Sequence, residues 1–450
     1  EGYSRAGAGN IGVCIGTSGP GGTDMVTGMY SAAADSVPIL CITGQATVPM
    51  LSKEEFQGVD IASVAAPVTK MAVTVLEAAQ VPGTLAKAFQ LMRSGRRGPV
   101  LIDLPFDVQV ARIDFDIDCY EPLPVAVPAM SRTQADRVLD MLDAAERPLL
   151  IAGGGIMSAD AAGDLVALAE YLDVPVISTL MGWGSIPDDH RLAQGMVGIQ
   201  TSQRYANATF LESDLVIGVG TRYSDFTTAS KTQFKDPGVR FVNINVTPFD
   251  AAKQSAEMVV ADAREALTAL TAALEGYRVS EDYSREIAAE RESWFARTER
   301  CYHLGHGPLP AQTEVFGALN ELMGDEDIVI NAAGSMPGDL QALWQARTPV
   351  QYHVEYAFSC MGYEIPAGLG CKLARPESEV VSIVGDGTYQ MLPMELATVV
   401  QENIKVIYVL LQNYGFCSIG ALSESRGSQR FGTKYRQRGA GSHLEDTETV

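Results

Sequence analysis

Two β-branched runs with a helical pattern between them constrain this chain most. The first, Val380-Val381-Ser382-Ile383-Val384, breaks at a tight turn, Gly385-Asp386-Gly387. Apolar residues at Met391, Met394, Leu396, Ala397 and Val400 then follow helical spacing, and a second run, Ile404 to Leu411, ends at Asn413-Tyr414-Gly415. Strand, helix and strand of these lengths read as one parallel βαβ unit. The carboxyl ends of parallel strands share one sheet edge, where ligands bind in open α/β sheets. Asp386 and Asn413 are therefore expected side by side despite the 26 residues between them. One carboxylate and one amide oxygen form a hard-oxygen half-shell suited to Mg2+ shared with a diphosphate. Gly387 would let the backbone approach that anion, and the following helix would present its N-terminal amides to it.

At 450 residues the length suggests about three domains, and a hydrophobic content of 46% is enough for several cores. Lys and Arg total 33 against 55 acidic residues, a net charge of -22. That balance argues against nucleic acid or an anionic membrane as partner, since both require basic patches. The seven cysteines, Cys14, Cys41, Cys119, Cys301, Cys360, Cys371 and Cys417, include no Cys-x-x-Cys pair. They read as reduced core thiols of a cytoplasmic protein without a zinc site. There is no apolar run of membrane-spanning length and no secretory leader pattern. The opening Glu1-Gly2-Tyr3-Ser4-Arg5 reads as the tail of a helix, and the chain stops soon after the βαβ unit. A fragment is expected.

The first segment alternates strands (Gly12 to Gly16, Ile39 to Gly44, Val100 to Leu104) with helices. Between its first strand and a helix starting near Met25 lies Gly16-Thr17-Ser18-Gly19-Pro20-Gly21-Gly22-Thr23-Asp24, a loop of free amides and hydroxyls able to cradle a polar ligand. Gln57 either faces a substrate or is a solvated loop residue. A proline-containing linker, Tyr120 to Pro128, precedes a second α/β pattern with strands Leu149 to Ala152, Leu215 to Gly218 and Phe241 to Val246. Its Gly153-Gly154-Gly155 lacks the spacing and ribose-binding acid of a dinucleotide site. Asn243 and Asn245 stand where that acid would be, so a structural domain is the better reading. Residues 279–303 form a charged helix, read as a solvated connector. Beyond it Asn331-Ala332-Ala333-Gly334-Ser335 follows a strand and suits phosphate oxygens. In the alternating run Tyr352-His353-Val354-Glu355-Tyr356, His353 and Glu355 share a face, as an acid/base pair or as a satisfied buried pair.

The spacing of Gly385-Asp386-Gly387 and Asn413, with 25 residues between them, resembles the cofactor motif of thiamine-diphosphate (ThDP) enzymes. The whole chain is similar to the acetolactate-synthase-like superfamily of these enzymes. That resemblance implies an α/β fold of three consecutive doubly wound parallel-sheet domains, the first and last incomplete. They would be a pyrimidine-binding domain over 1–115 (start missing), a central Rossmann-like domain over 133–275 and a diphosphate-binding domain over 312–450 (end missing). It further implies that Asp386, Asn413 and the Gly415 carbonyl hold Mg2+, that Met361 props the cofactor into its bent form, and that the backbones of Ser359 and Met361 grip the aminopyrimidine. Gly334, Ser335, Gly385 and Gly387 complete the expected cofactor-binding set, with Gln57 as the catalytic candidate.

Up to about residue 210 the chain is similar to glyoxylate carboligase (tartronate-semialdehyde synthase), through Ile15-Gly16-Thr17-Ser18-Gly19-Pro20, Leu40-Cys41-Ile42-Thr43-Gly44-Gln45 and Leu180-Met181-Gly182-Trp183-Gly184. From about Val216 it resembles the trihydroxycyclohexane-1,2-dione hydrolase of inositol catabolism, through Asp225-Phe226-Thr227-Thr228, Tyr352 to Tyr356, Ser359 to Ile365 and Gly427 to Thr433. The hydrolase, which breaks a C–C bond beside a carbonyl, is the favoured expectation. Glyoxylate carboligation is the alternative, with FAD as an accessory that Asn243 and Asn245, standing in place of the acid, count against. A truncated, non-catalytic ThDP-binding chain is the third. In most of the superfamily a glutamate contacts the aminopyrimidine, and the spacing places that position before Glu1. The resemblance implies a small 2-oxo acid or cyclic dione as substrate, and a homodimer or homotetramer.

Overall fold

The computed structural model describes the chain apart from residues 199–203, 234–235, 274–275, 356 and 448–450. Tyr356, the end of the alternating run, lies outside the described residues. The chain forms two compact units. One comprises Glu1–Val127 with two later segments, Glu355–Cys360 and Leu373–Pro376; the other holds the remainder.

In the first unit, β1 (Gly12–Gly16), β2 (Ile39–Gln45), β3 (Met71–Thr74) and β4 (Val100–Pro105) form a parallel sheet in the order β1-β2-β4-β3. Helices bury apolar residues on both faces: Met29, Ile61 and Ala65 pack on one, and Ala88, Met92 and Val108 on the other. Asp103 lies fully buried on β4 and accepts hydrogen bonds from Thr43 (2.7 Å), Gln45 (3.1 Å) and Thr74 (2.9 Å). These bonds tie the carboxyl ends of three strands together. Burial outweighs them and raises its carboxyl pKa.

The second unit contains two sheets. β5 (Pro148–Ala152), β6 (Val176–Ser178), β7 (Ala193–Met196), β8 (Leu215–Val219), β9 (Arg240–Asn245) and β10 (Glu257–Val260) lie in the order β10-β9-β8-β5-β6-β7. This is the winding of dinucleotide-binding domains, with its switch point between β5 and β8. β11 (Ile328–Asn331), β12 (Tyr352–Val354), β13 (Val380–Gly385) and β14 (Ile407–Leu411) form the third parallel sheet, order β12-β11-β13-β14. Its winding reverses between β11 and β13. A two-stranded antiparallel ribbon, β15 (Arg436–Arg438) with β16 (Leu444–Asp446), follows. All three main sheets are parallel with helical connections, so the doubly wound α/β class is confirmed.

Several local expectations are corrected. The helix Glu281–Tyr302 is no solvated connector: Tyr283, Ile287, Trp294, Thr298 and Tyr302 are buried along one face. It is bolted down by bonds from Trp294 to the Ala342 carbonyl (3.0 Å) and from Tyr302 to the Leu343 carbonyl (2.6 Å). The apolar pattern after β13 is split into helices Asp386–Met391 and Glu395–Gln401 around Pro393, which cannot supply an amide hydrogen. Met391, Met394 and Val400 are exposed, and Val399 is the buried residue. β14 starts at Ile407 rather than Ile404. β12 does not alternate, because Tyr352, His353 and Val354 are all buried. Of the cysteines, Cys41 and Cys371 are buried, whereas Cys14 and Cys119 are exposed. Among the described residues no helix is long and apolar enough to cross a membrane.

Candidate active site

β13 and β14 pair in register through Gly385 and Leu411, which puts Asp386 beside the segment after β14. No turn separates strand from helix: Gly385 is extended, and Asp386 begins the helix directly. The Asp386 carboxylate is buried. Its Oδ1 accepts from the Gly387 amide (2.8 Å), and its Oδ2 from the amides of Asn413 (3.2 Å) and Tyr414 (2.6 Å). The Asn413 side-chain NH2 group donates to Asp386 Oδ1 (3.3 Å) and to the Gly415 carbonyl oxygen (2.8 Å), which gathers carboxylate, amide and carbonyl in one place. Carboxylate, amide and backbone carbonyl are a donor set that fits Mg2+. Among the described residues no group of three or more His, Cys, Asp or Glu could hold a metal, so a cation here depends on the amide and carbonyl oxygens.

Gly415 occupies φ +149, and a Cβ there would stand 2.1 Å from the Thr433 carbonyl oxygen. An antiparallel bridge between Gly415 and Lys434 brings the later segment against the site. The Gly387 amide donates to Asp386 Oδ1. Its missing side chain serves contact with Phe416, whose ring atoms would lie 2.8 Å from a Cβ. Tyr435, unmarked by any sequence motif, is the residue missed. Its hydroxyl lies beside Gly387 and is buried without a hydrogen-bond partner, and its pKa is pushed up to about 12, first by burial and then by Asp386.

Because β11 and β13 are paired neighbours, the loop Ala332–Ser335 leaves the same sheet edge at the switch point. Gly334 is left-handed (φ +125), and Ser335 is exposed immediately before the helix Met336–Leu343. Met361 is only half-buried, which argues against plain core filling, and Ser359 is exposed with φ +64. That conformation is fixed by Glu355. This fully buried carboxylate accepts from the Cys360 amide (2.6 Å), the Phe358 amide (3.3 Å) and the Ser31 hydroxyl (3.2 Å). Burial is the main cause of its raised pKa. His353 is buried with Nε2 2.7 Å from the Tyr363 hydroxyl and Nδ1 3.4 Å from Cys371. Both members of the suspected acid/base pair are thus buried and hydrogen-bonded.

In the first unit a short helix, Pro20–Asp24, starts earlier than expected, leaving Thr17 to Gly19 as the irregular turn. Gly19 (φ +66) abuts Gln57, whose Cβ would lie 2.9 Å from a Cβ at Gly19. Gln57 is exposed, left-handed (φ +58) and accepts from Ser18 at 3.3 Å. A polar loop and a side-chain amide therefore converge at the carboxyl edge of the first sheet.

Residues 1–64, 135–270 and 332–446 match, in turn, the N-terminal TPP binding domain, the central domain and the C-terminal TPP binding domain of thiamine pyrophosphate enzymes. Glyoxylate carboligase of Escherichia coli O157:H7 is 47% identical over 428 residues, covering 92% of this chain and 70% of the relative. This chain belongs to the thiamine pyrophosphate enzymes. 3D-(3,5/4)-trihydroxycyclohexane-1,2-dione hydrolase 2 of Bacillus cereus is 36% identical over 460 residues, covering 94% of this chain and 71% of the relative. The hydrolase of Bacillus anthracis is 35% identical over the same span. As a thiamine pyrophosphate enzyme the chain carries its cofactor-binding domains at both ends. In the central domain, the amides of Gly153 and Gly155 donate to the carbonyls of Val219 and Gly220, and Cβ atoms there would stand 2.3 Å from the Gly220 oxygen and 2.6 Å from its Cα. The side-chain amides of Asn243 and Asn245 donate to the Lys253 and Thr221 carbonyls. These contacts assign the glycines to packing and lend no support to FAD.

Proposed function

We propose that this thiamine pyrophosphate enzyme uses Mg2+ with its cofactor to cleave a C–C bond beside a carbonyl, with a cyclic dione as substrate. The observation that carries the metal is the convergence of Asp386, Asn413 and the Gly415 carbonyl on one point. These three groups would hold the cation; Gly334, Ser335, Gly385 and Gly387 would line the diphosphate. Ser359, held left-handed by Glu355, and Met361 would contact the aminopyrimidine. Bound thiamine diphosphate supplies a thiazolium carbon that adds to a carbonyl, and a ring that accepts the electrons released. The protein fixes the position of the anion, excludes water around buried Asp386, and presents the Gln57 amide as a polar group toward a substrate oxygen. The hydrolase reading is supported by the run Tyr352 to Ile365, whose Glu355 builds the Ser359 turn. Assembly as a homodimer or homotetramer and a cytoplasmic location belong to this reading.

Glyoxylate carboligation is the second reading, favoured by the 47% identity to the carboligase against 36% to the hydrolase over nearly the same span. Incubation of the protein with the cyclic dione or with glyoxylate, each with and without thiamine diphosphate and Mg2+, separates the two. Ring opening that requires both additions supports the proposal. Carbon dioxide release from glyoxylate without dione turnover replaces it with the carboligase, and inertness toward both substrates overturns each.

A further inference from the structure

Cys14 on β1 and Cys41 on β2 are direct partners in the parallel register. Their sulfurs lie 3.4 Å apart and share a hydrogen bond, and Cys14 Sγ also lies 3.5 Å from the Met25 sulfur. Adjacent strands run about 4.8 Å apart, a spacing inside the range of roughly 4.4–6.8 Å that disulfides bridge between Cα atoms. The two thiols differ in access: Cys14 is exposed, whereas Cys41 is 1% exposed. Neither takes part in the proposed chemistry.

We propose that Cys14 is a site of oxidative modification by hydroperoxides, with Cys41 as its resolving thiol. The Cys14 thiolate attacks the terminal oxygen of the peroxide. The O–O bond breaks, Cys14 becomes a sulfenic acid, and hydroxide or alkoxide leaves with a proton from water. The Cys41 sulfur then attacks the Cys14 sulfur. The S–O bond breaks, and the departing hydroxide takes the Cys41 proton as water. Two thiols are oxidised to one disulfide while one peroxide is reduced. The ionisation of the pair follows this division of labour. The Cys14 thiol is lowered to about 7, chiefly by its bond with Cys41, while Cys41 is pushed up by that bond and by burial. Cys119 is also exposed but bonds to the Asp116 carboxylate, which raises its pKa. It serves as an internal control. β1 runs directly into Gly16 and the Thr17–Gly19 turn, so a bond two residues before Gly16 clamps the strand that carries this turn.

The test treats the whole chain with stoichiometric hydrogen peroxide, blocks remaining thiols and maps peptides without reductant. The expected result is a Cys14 peptide linked to the Cys41 peptide and released by dithiothreitol. In Cys41→Ser the Cys14 sulfenic acid accumulates and is trapped by dimedone. Before oxidation, iodoacetamide at neutral pH labels Cys14 roughly tenfold faster than Cys119, as thiolate fraction predicts. Absence of the linked peptide from oxidised wild type, or labelling of Cys14 no faster than Cys119, overturns the proposal. Neither measurement depends on the catalysed reaction.

Discussion

Replacement of Asp386 should abolish the magnesium-linked part of cofactor binding, and the structure indicates which replacement tests this cleanly. The carboxylate satisfies three amides, those of Gly387, Asn413 and Tyr414. Asp386→Ala leaves all three without their acceptor, at about 1–3 kcal/mol each. The sum, about 3–9 kcal/mol, rivals the whole stability of a typical domain, about 5–15 kcal/mol. Loss of binding in that variant is confounded with unfolding. Asp386→Asn keeps one oxygen, best used by the adjacent Asn413 and Tyr414 amides, and strands the Gly387 amide alone, at roughly 1–3 kcal/mol. It also removes the carboxylate charge from the cation. Thermal unfolding with thiamine diphosphate plus Mg2+, and with thiamine diphosphate plus EDTA, is the assay. In wild type a ligand at a hundred times its Kd adds about 2.7 kcal/mol, a rise of several degrees in Tm. In Asp386→Asn the magnesium-dependent rise should vanish while the apo protein still melts cooperatively. An increment equal to that of wild type would falsify the metal assignment.

Asp188 is buried and bonded to the Trp183 indole (2.8 Å) and the Ala346 amide (2.7 Å), yet burial pushes its carboxyl up to about 7. The folded chain holds this proton where the unfolded chain releases it near 3.8, so stability is full below that value and falls as pH rises toward 7. Relative to Asp188→Asn, wild-type stability should drop by on the order of 4 kcal/mol across this window; parallel Tm-against-pH curves for the two proteins would refute this. Gly415→Ala should prevent stable folding of the site segment, because its Cβ would meet the Thr433 oxygen at 2.1 Å; an unchanged proteolysis pattern after β14 would count against it. Tyr435→Phe removes a partnerless hydroxyl, so the apo Tm should hold or rise while thiamine diphosphate affinity falls about five- to tenfold, the loss of one hydrogen bond; a lower apo Tm would show a structural role instead.

The βαβ unit at the third sheet was readable because its strands are β-branched runs and parallel pairing carries Asp386 to Asn413 without further information. β6, β7 and β10 escaped notice because strands of three or four residues lack a measurable period, and Ala193–Met196 has no β-branched residue at all. The contact of Phe416 with Gly387 is not legible in the sequence, since no spacing rule announces it. Tyr435 was invisible for a related reason. It reaches the site through the bridge at Gly415 and Lys434, a pairing set by the later chain and not by spacing. The exposed helical faces at Met394 and Val400 show the converse: helical periodicity identifies an apolar face but not whether this chain covers it.

The bond between Ser31 and Glu355 spans 324 positions, yet both residues lie within one compact unit. Both kinds of relative match this chain across nearly its whole length. Exchanging either half of the chain for that of a relative would replace one member of a buried couple and leave the other behind. A designer cutting the chain between Ser31 and Glu355 would need to carry residues 355–360 with the opening 127.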